Sequence, residues 1–92
     1  MPQSIIHNDF KIFYNKLGAL HRLDGPAVDL CSNKQWWCNG KLHRVDGPAI
    51  EMSNGHKEWW IHGCQFFSKE SWFKALNRDD QIAYVFNIEG AK

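Results

Sequence analysis

From residue 10 to residue 67, apolar and polar positions alternate in short bursts, and the bursts recur. In Ala27-Val28-Asp29-Leu30 and again in Ala49-Ile50-Glu51-Met52, Val28, Leu30, Ile50 and Met52 fall on one face of an extended chain and Asp29 and Glu51 on the other. Aromatic bursts stand between them: Phe13-Tyr14, Trp36-Trp37, Trp59-Trp60. β-Branched and aromatic residues favour a pleated, half-buried surface, and each burst is bounded by Asn-Gly, Ser-Asn-Gly or Asp-Gly-Pro. Asn39-Gly40 and Asn54-Gly55 suit turns that need φ > 0. The pattern predicts a mainly β (α+β) chain, an antiparallel meander of strands five or six residues long, with one face packed and the other in solvent.

The bursts are parts of a duplicated sentence. Leu20-His21-Arg22-Leu23-Asp24-Gly25-Pro26-Ala27 returns 22 residues later as Leu42-His43-Arg44-Val45-Asp46-Gly47-Pro48-Ala49. Lys34-Gln35-Trp36-Trp37 returns at a spacing of 23 as Lys57-Glu58-Trp59-Trp60, which places the extra residue in the turn Ser53-Asn54-Gly55-His56. Adjacent strand residues point to opposite faces, so one member of each aromatic pair packs inward and the other outward. The outward members would line up as a ladder of rings, and the sequence leaves open which ring of each pair points outward; the alternative is that a terminal segment or a partner copy covers the second face and makes both rings core. Beyond Phe67 the pattern turns helical: Ser68 is an N-cap candidate, Glu70 lies in the first turn, and Trp72, Phe73 and Leu76 share a stripe. Such a helix would close the open end of the array. Residues 82–88 alternate as a strand would, and we read them so, against a second helix started by Asp79 or Asp80. The domain organisation expected is one domain over 1–92, with the array at about 10–67 and the cap at about 68–92.

Composition narrows the function classes. With 92 residues, about 60 to 65% of the unfolded surface can be buried, so five tryptophans supply much of the core. A net charge of +1 gives no global field for nucleic acid or acidic membrane. The first residues lack a basic and apolar leader, and no stretch approaches a membrane span of about 18 apolar residues, so a cytoplasmic location is expected. Three cysteines, Cys31, Cys38 and Cys64, without a CxxC spacing argue against a disulfide framework.

The His-Arg-x-Asp-Gly-Pro-Ala core with Asn-Gly and Lys-x-Trp-Trp resembles the HREDGPA repeat proteins of phages and large viruses, which look like variants of the MORN hairpin repeat. The resemblance covers roughly residues 10–76, including the closing segment Phe66 to Phe73. It departs at Cys64-Gln65-Phe66, where a further Lys-Leu-His is expected. It implies MORN-like hairpins closed by a short C-terminal helix, and an interaction module. A phage source further implies a protein that binds and inhibits a host protein, such as a defence complex.

The duplicated His21, Arg22, Asp24 and His43, Arg44, Asp46 could be imagined as a small nuclease or metal site. Turn-building explains them better, because Asp ahead of Gly-Pro accepts backbone N–H groups and pairs with the Arg two residues earlier. No catalytic residues, metal ligands or cofactors are therefore assigned; Cys and His spacing matches no closed zinc site. The binding residues expected are Tyr14, Trp37, Trp60, Arg22, Arg44, His21, His43 and Lys41. Stacking aromatics near Lys11, Lys34, Lys41, Lys57, Arg22 and Arg44 would suit single-stranded nucleic acid or a nucleotide messenger. Near neutrality favours a protein partner, for which Trp, Tyr and Arg are the usual anchors. Sheet edges and surplus aromatics also make a homodimer credible.

Overall fold

The computed structural model describes residues 4–6 and 10–90, with side chains over 11–86; the remaining residues of the expected 1–92 domain lie outside the described set. Among the described residues, nine strands and two helices follow one another: β1 (Ser4–Ile6), β2 (Phe10–Phe13), β3 (Val28–Leu30), β4 (Asn33–Gln35), β5 (Trp37–Cys38), β6 (Lys41–Leu42), β7 (Ile50–Met52), β8 (Lys57–Ile61), β9 (Cys64–Phe66), α1 (Lys69–Ala75) and α2 (Arg78–Gly90). The chain is mainly antiparallel β. One sheet has the order β1-β2-β3-β4-β7-β8-β9, and β5 and β6 form a separate hairpin. The strands are shorter than five or six residues, except β8. The aromatic segment of the middle unit is broken at Trp36, whose N–H and C=O turn to Ala49 and His43. Its first half therefore stays in the long sheet while its second half enters the small hairpin.

The turns follow their residues. Asn39-Gly40 and His62-Gly63 both have positive φ at both positions, 49° and 81° in the first and 48° and 82° in the second, the geometry that matches strand twist in a two-residue hairpin. Asn54-Gly55 makes a wider turn: Met52 donates its N–H to the His56 carbonyl, so three residues are spanned where two suffice between Leu30 and Asn33. The Asn54 side chain accepts the His56 N–H at 2.9 Å. The one-residue difference between the two spacings lies in this turn.

Strand register sorts the side chains into two faces. Lys11, Asp29, Lys34, Glu51 and Lys57 are successive cross-strand partners, forming a row of alternating charge through β2, β3, β4, β7 and β8. Ile12, Val28, Gln35, Ile50 and Glu58 form the neighbouring row on the opposite face. Val28 and Ile50 are buried there, so the alternation read from Val28-Asp29-Leu30 and Ile50-Glu51-Met52 holds in space.

The hydrophobic core lies at the C-terminal end of the sheet. Trp72, Leu76 and Tyr84 are buried against Val45, Trp59, Ile61, Phe66 and Phe73. Helix α1 begins as its sequence predicts, with the Ser68 Oγ accepting the Ser71 N–H at 3.1 Å. Residues 82–88, expected as a strand, are helical and belong to α2. The Asn77 side chain accepts the Asp80 N–H at 2.8 Å, Asp79 and Asp80 sit at the positive end of the helix, and Gln81 donates to the Phe73 carbonyl at 2.9 Å. Local capping and the burial of Tyr84 against Trp72 and Phe73 outweigh the alternation. The cap is thus two helices, not one.

Candidate functional site

The His, Arg, Asp and Gly of the duplicated motif each have a structural task, performed twice. The backbone N–H of Arg22 donates to the Trp37 carbonyl and that of Arg44 to Trp60, both at 3.1 Å, while Phe13 and Trp36 donate to Ala27 and Ala49, both at 2.8 Å. His21 Nδ1 accepts the Asn39 N–H and His43 Nδ1 accepts the His62 N–H, each at 2.9 Å. The imidazole of one unit thereby fastens the turn of the next. This requires an unprotonated Nδ1, and burial, with the neighbouring His62, holds the His43 pKa below its ordinary value against the opposing pull of Asp80. The His43 and His62 rings stack at 4.0 Å.

The guanidinium groups are equally committed. Arg22 Nε bonds Asp24 at 2.9 Å and its Nη1 bonds the Pro26 carbonyl at 3.2 Å; Arg44 repeats both contacts at 2.7 and 3.0 Å and adds Glu51 at 3.0 Å. Arg22 lies over the Phe13 ring and Arg44 over Trp36, at 4.2 and 3.7 Å. The motif glycine makes room for this: a Cβ on Gly25 would stand 3.0 Å from the Arg22 guanidinium carbon, and one on Gly47 2.8 Å from that of Arg44. Arg22 also holds the exposed Asp24 carboxyl below the usual carboxylate range. The His, Arg and Asp side chains that could suggest catalysis are thus parts of the turn.

The aromatic pairs divide between the faces. Trp59 packs on Trp72 at 4.7 Å and Trp36 lies beneath Arg44, both on the side of the charged row. Trp37 and Trp60 lie on the other side, half-buried, with each indole N–H donated to the residue two positions earlier, Gln35 at 2.8 Å and Glu58 at 3.0 Å. Tyr14 bridges Leu20 as Trp37 pairs with Leu42 and Trp60 with Gln65, so the three rings hold equivalent places. Lys11, Lys34 and Lys57 stand on the opposite face from these rings. Lys41 is placed on the far side of its hairpin from Trp37 by register, and its stem runs across Gly63. The structure does not bring the expected aromatics and cations into one patch.

It does bring Arg22, His43 and Arg44 together. With Leu23, Asp24, Gly25, Trp36, Cys38, Val45, Asp46 and Ala83 of α2 they line a groove of about 650 Å³ between the two motif turns. This groove is invisible in the sequence, because its walls come from equivalent positions of successive units. Tyr14, Trp37, Trp60, His21 and Lys41 do not line it. Among the described residues no group of three or more His, Cys, Asp or Glu side chains could hold a metal ion, and no helix is long and apolar enough to cross a membrane. Comparison with protein families, curated proteins and solved structures gives no match to this chain.

Proposed function

We propose that the chain is a non-enzymatic interaction module, an array of MORN-like hairpin units that binds a protein partner in the cytoplasm through the row Tyr14, Trp37 and Trp60. In a phage, the partner would be a host protein or complex, such as a defence complex, held inactive by being bound. The observation that supports this reading is the division of labour within the repeat. His21, His43, Arg22 and Arg44 are occupied by turn and inter-unit bonds, whereas Trp37 and Trp60 have satisfied indole N–H groups and keep part of their rings accessible. Aromatic side chains with two rotatable angles give large contact area at low entropic cost, the usual chemistry of a protein interface. A nucleic-acid reading is less well supported, since bases stacked on Trp37 and Trp60 would have their phosphates on the face without Lys11, Lys34 and Lys57.

The test is capture of partners from host lysate with the wild-type chain and with Trp37→Ala and Trp60→Ala variants, beside thermal melts. A partner retained by the wild type and lost by both variants, with melting temperatures close to wild type, is the expected result. Retention by both variants, or melts as damaged as that of Trp59→Ala, would sink the reading. A rise in melting temperature with a nucleotide alone would replace the protein partner with a small-molecule one.

A further inference from the structure

We propose that the groove between the two motif turns is a docking site for a tryptophan carried on a basic helix of a partner protein. The argument comes from the internal repeat, since the next interval along the array is already filled. There Trp72 of α1 donates its indole N–H to the Arg44 carbonyl at 3.0 Å, lies on Trp59, and packs in a cluster with Val45, Ile61 and Phe66. One unit earlier the equivalent positions are Arg22, Leu23, Trp36, Cys38 and His43, and all five line the groove. The groove has the equivalent lining, with Arg44 on the Trp36 ring where Trp72 lies on Trp59, and continues an interface the chain makes with itself.

Its free surfaces match this occupant. The Arg22 carbonyl, counterpart of the one that receives Trp72, accepts no bond from the described residues. Leu23, counterpart of the packed Val45, is 83% exposed. Ala83 of α2 lies on the rim, next to Tyr84, which contacts Trp72 on the occupied side. Arg44 covers the face of Trp36, so an incoming ring sits on Leu23, Cys38 and His43 and reaches the Arg22 carbonyl by its N–H. The volume of about 650 Å³ accommodates an indole and part of the helix that bears it.

Charge selects the helix. The two guanidinium groups are turned inward, with side chains 27% and 18% exposed, while their carboxylate partners Asp24 and Asp46 face outward at 86% and 58%. Solvent therefore meets an acidic rim. A partner helix with lysine or arginine flanking its tryptophan is complementary to that rim, and α1 offers a probe of this kind, with Lys69 and Lys74, beside Glu70, on either side of Trp72. This site is separate from the Tyr14, Trp37 and Trp60 row, so either can fail without the other.

The probe is an acetylated, amidated peptide of the chain's own residues 67–77, titrated into isotope-labelled protein and followed by backbone and indole N–H resonances. We expect saturable shifts at Leu23, Asp24 and Cys38, lost when the peptide's tryptophan is replaced by alanine and weakened when its lysines become glutamate. The Leu23→Asp protein should bind at least about tenfold more weakly, while Leu17→Asp, an exposed change outside the groove, should bind as wild type does. No saturation at millimolar peptide, or undiminished binding by Leu23→Asp, overturns the proposal. Shifts confined to Trp59 and Tyr84 would mean that the peptide only displaces α1, and association of two protein molecules by exchange of α1 would give the groove to a second copy; either result also overturns it.

Discussion

At the scale of the residue, the motif is a set of mutual constraints around one guanidinium. Arg44 is held by Asp46, the Pro48 carbonyl and Glu51 while its flat face rests on Trp36, and Gly47 is the only residue type that leaves space on the other side. Gly47→Ala sets a methyl 2.8 Å from the guanidinium carbon and displaces a side chain with three acceptors. The expected loss is about 1 to 3 kcal/mol, within the range for breaking a buried network, measured as a shift in urea midpoint. Gly25→Ala should cost less, because Arg22 has one acceptor fewer and the approach is 3.0 Å. Equal losses would show that the clash, not the network, sets the cost. His43 gives a second residue-level prediction. Its folded pKa is lowered, chiefly by burial, so the unfolded chain takes up its proton first as pH falls. The stability tied to neutral His43 is complete above about pH 6.5 and declines as pH drops below that value toward the lowered folded pKa. Melting temperature should fall between pH 7 and pH 5, and less so in His43→Asn, whose amide oxygen can still accept the His62 N–H without titrating. The carboxylates with lowered pKa, Asp24 and Glu58, titrate further down and leave this window clear. An unchanged pH profile in His43→Asn would assign the acid sensitivity elsewhere.

At the scale of the element, the charged row explains how strands of three residues keep their register. Slipping β4 by one residue would move Lys34 from between Asp29 and Glu51 to the opposite face, among Val28 and Ile50. Lys34→Glu puts three carboxylates side by side and should cost about 1 kcal/mol in low salt, a deficit that shrinks as salt is added. The readout is the urea midpoint at two ionic strengths; a loss insensitive to salt would mean that the lysine stem, not its charge, matters. Strands and turns of this kind are legible in sequence, because alternation, Asn-Gly and the Ser68 cap are local signals that local geometry obeys. Helix α2 is not. Ile82, Tyr84, Phe86 and Ile88 alternate as in a strand, and among the described side chains Tyr84 alone is deeply buried on this helix, with Ile82, Val85 and Phe86 left exposed, so no broad apolar stripe marks the helical period. The signal that decides it is a cap, Asn77 to Asp80, whose meaning depends on Tyr84 finding Trp72 and Phe73.

At the scale of the whole molecule, each end of the array is finished by a different device, and this explains the departures from the repeat. At the first unit, Asn15 Oδ1 accepts the N–H groups of Leu17 and Ala19 at 2.9 and 3.0 Å, so an asparagine closes this turn from within. At the last, Phe66 stands where His21 and His43 stand, and packs into the core under α1 because no further turn needs fastening. Cys64-Gln65-Phe66 therefore reads as a terminus, though the sequence shows only a broken pattern. The docking groove was illegible for the same reason: it exists because one interval is filled by Trp72 and its predecessor is not, a difference between places with nearly the same residues. If units stack only on neighbours, one can be removed. Deleting residues 23–44 joins Arg22 to Val45, leaving Arg22 over Phe13, its guanidinium facing Asp46 and the Pro48 carbonyl, and His21 Nδ1 to receive the His62 N–H. Trp72 then bonds the Arg22 carbonyl in place of Arg44. This shortened chain should unfold in a single cooperative transition, at a lower temperature, followed by tryptophan fluorescence and far-ultraviolet dichroism. Because its one remaining interval is occupied by Trp72, it should also fail to bind the 67–77 peptide. A chain that cannot fold would show that the two units form one indivisible structure, and a folded one that still binds the peptide would place that binding outside the groove.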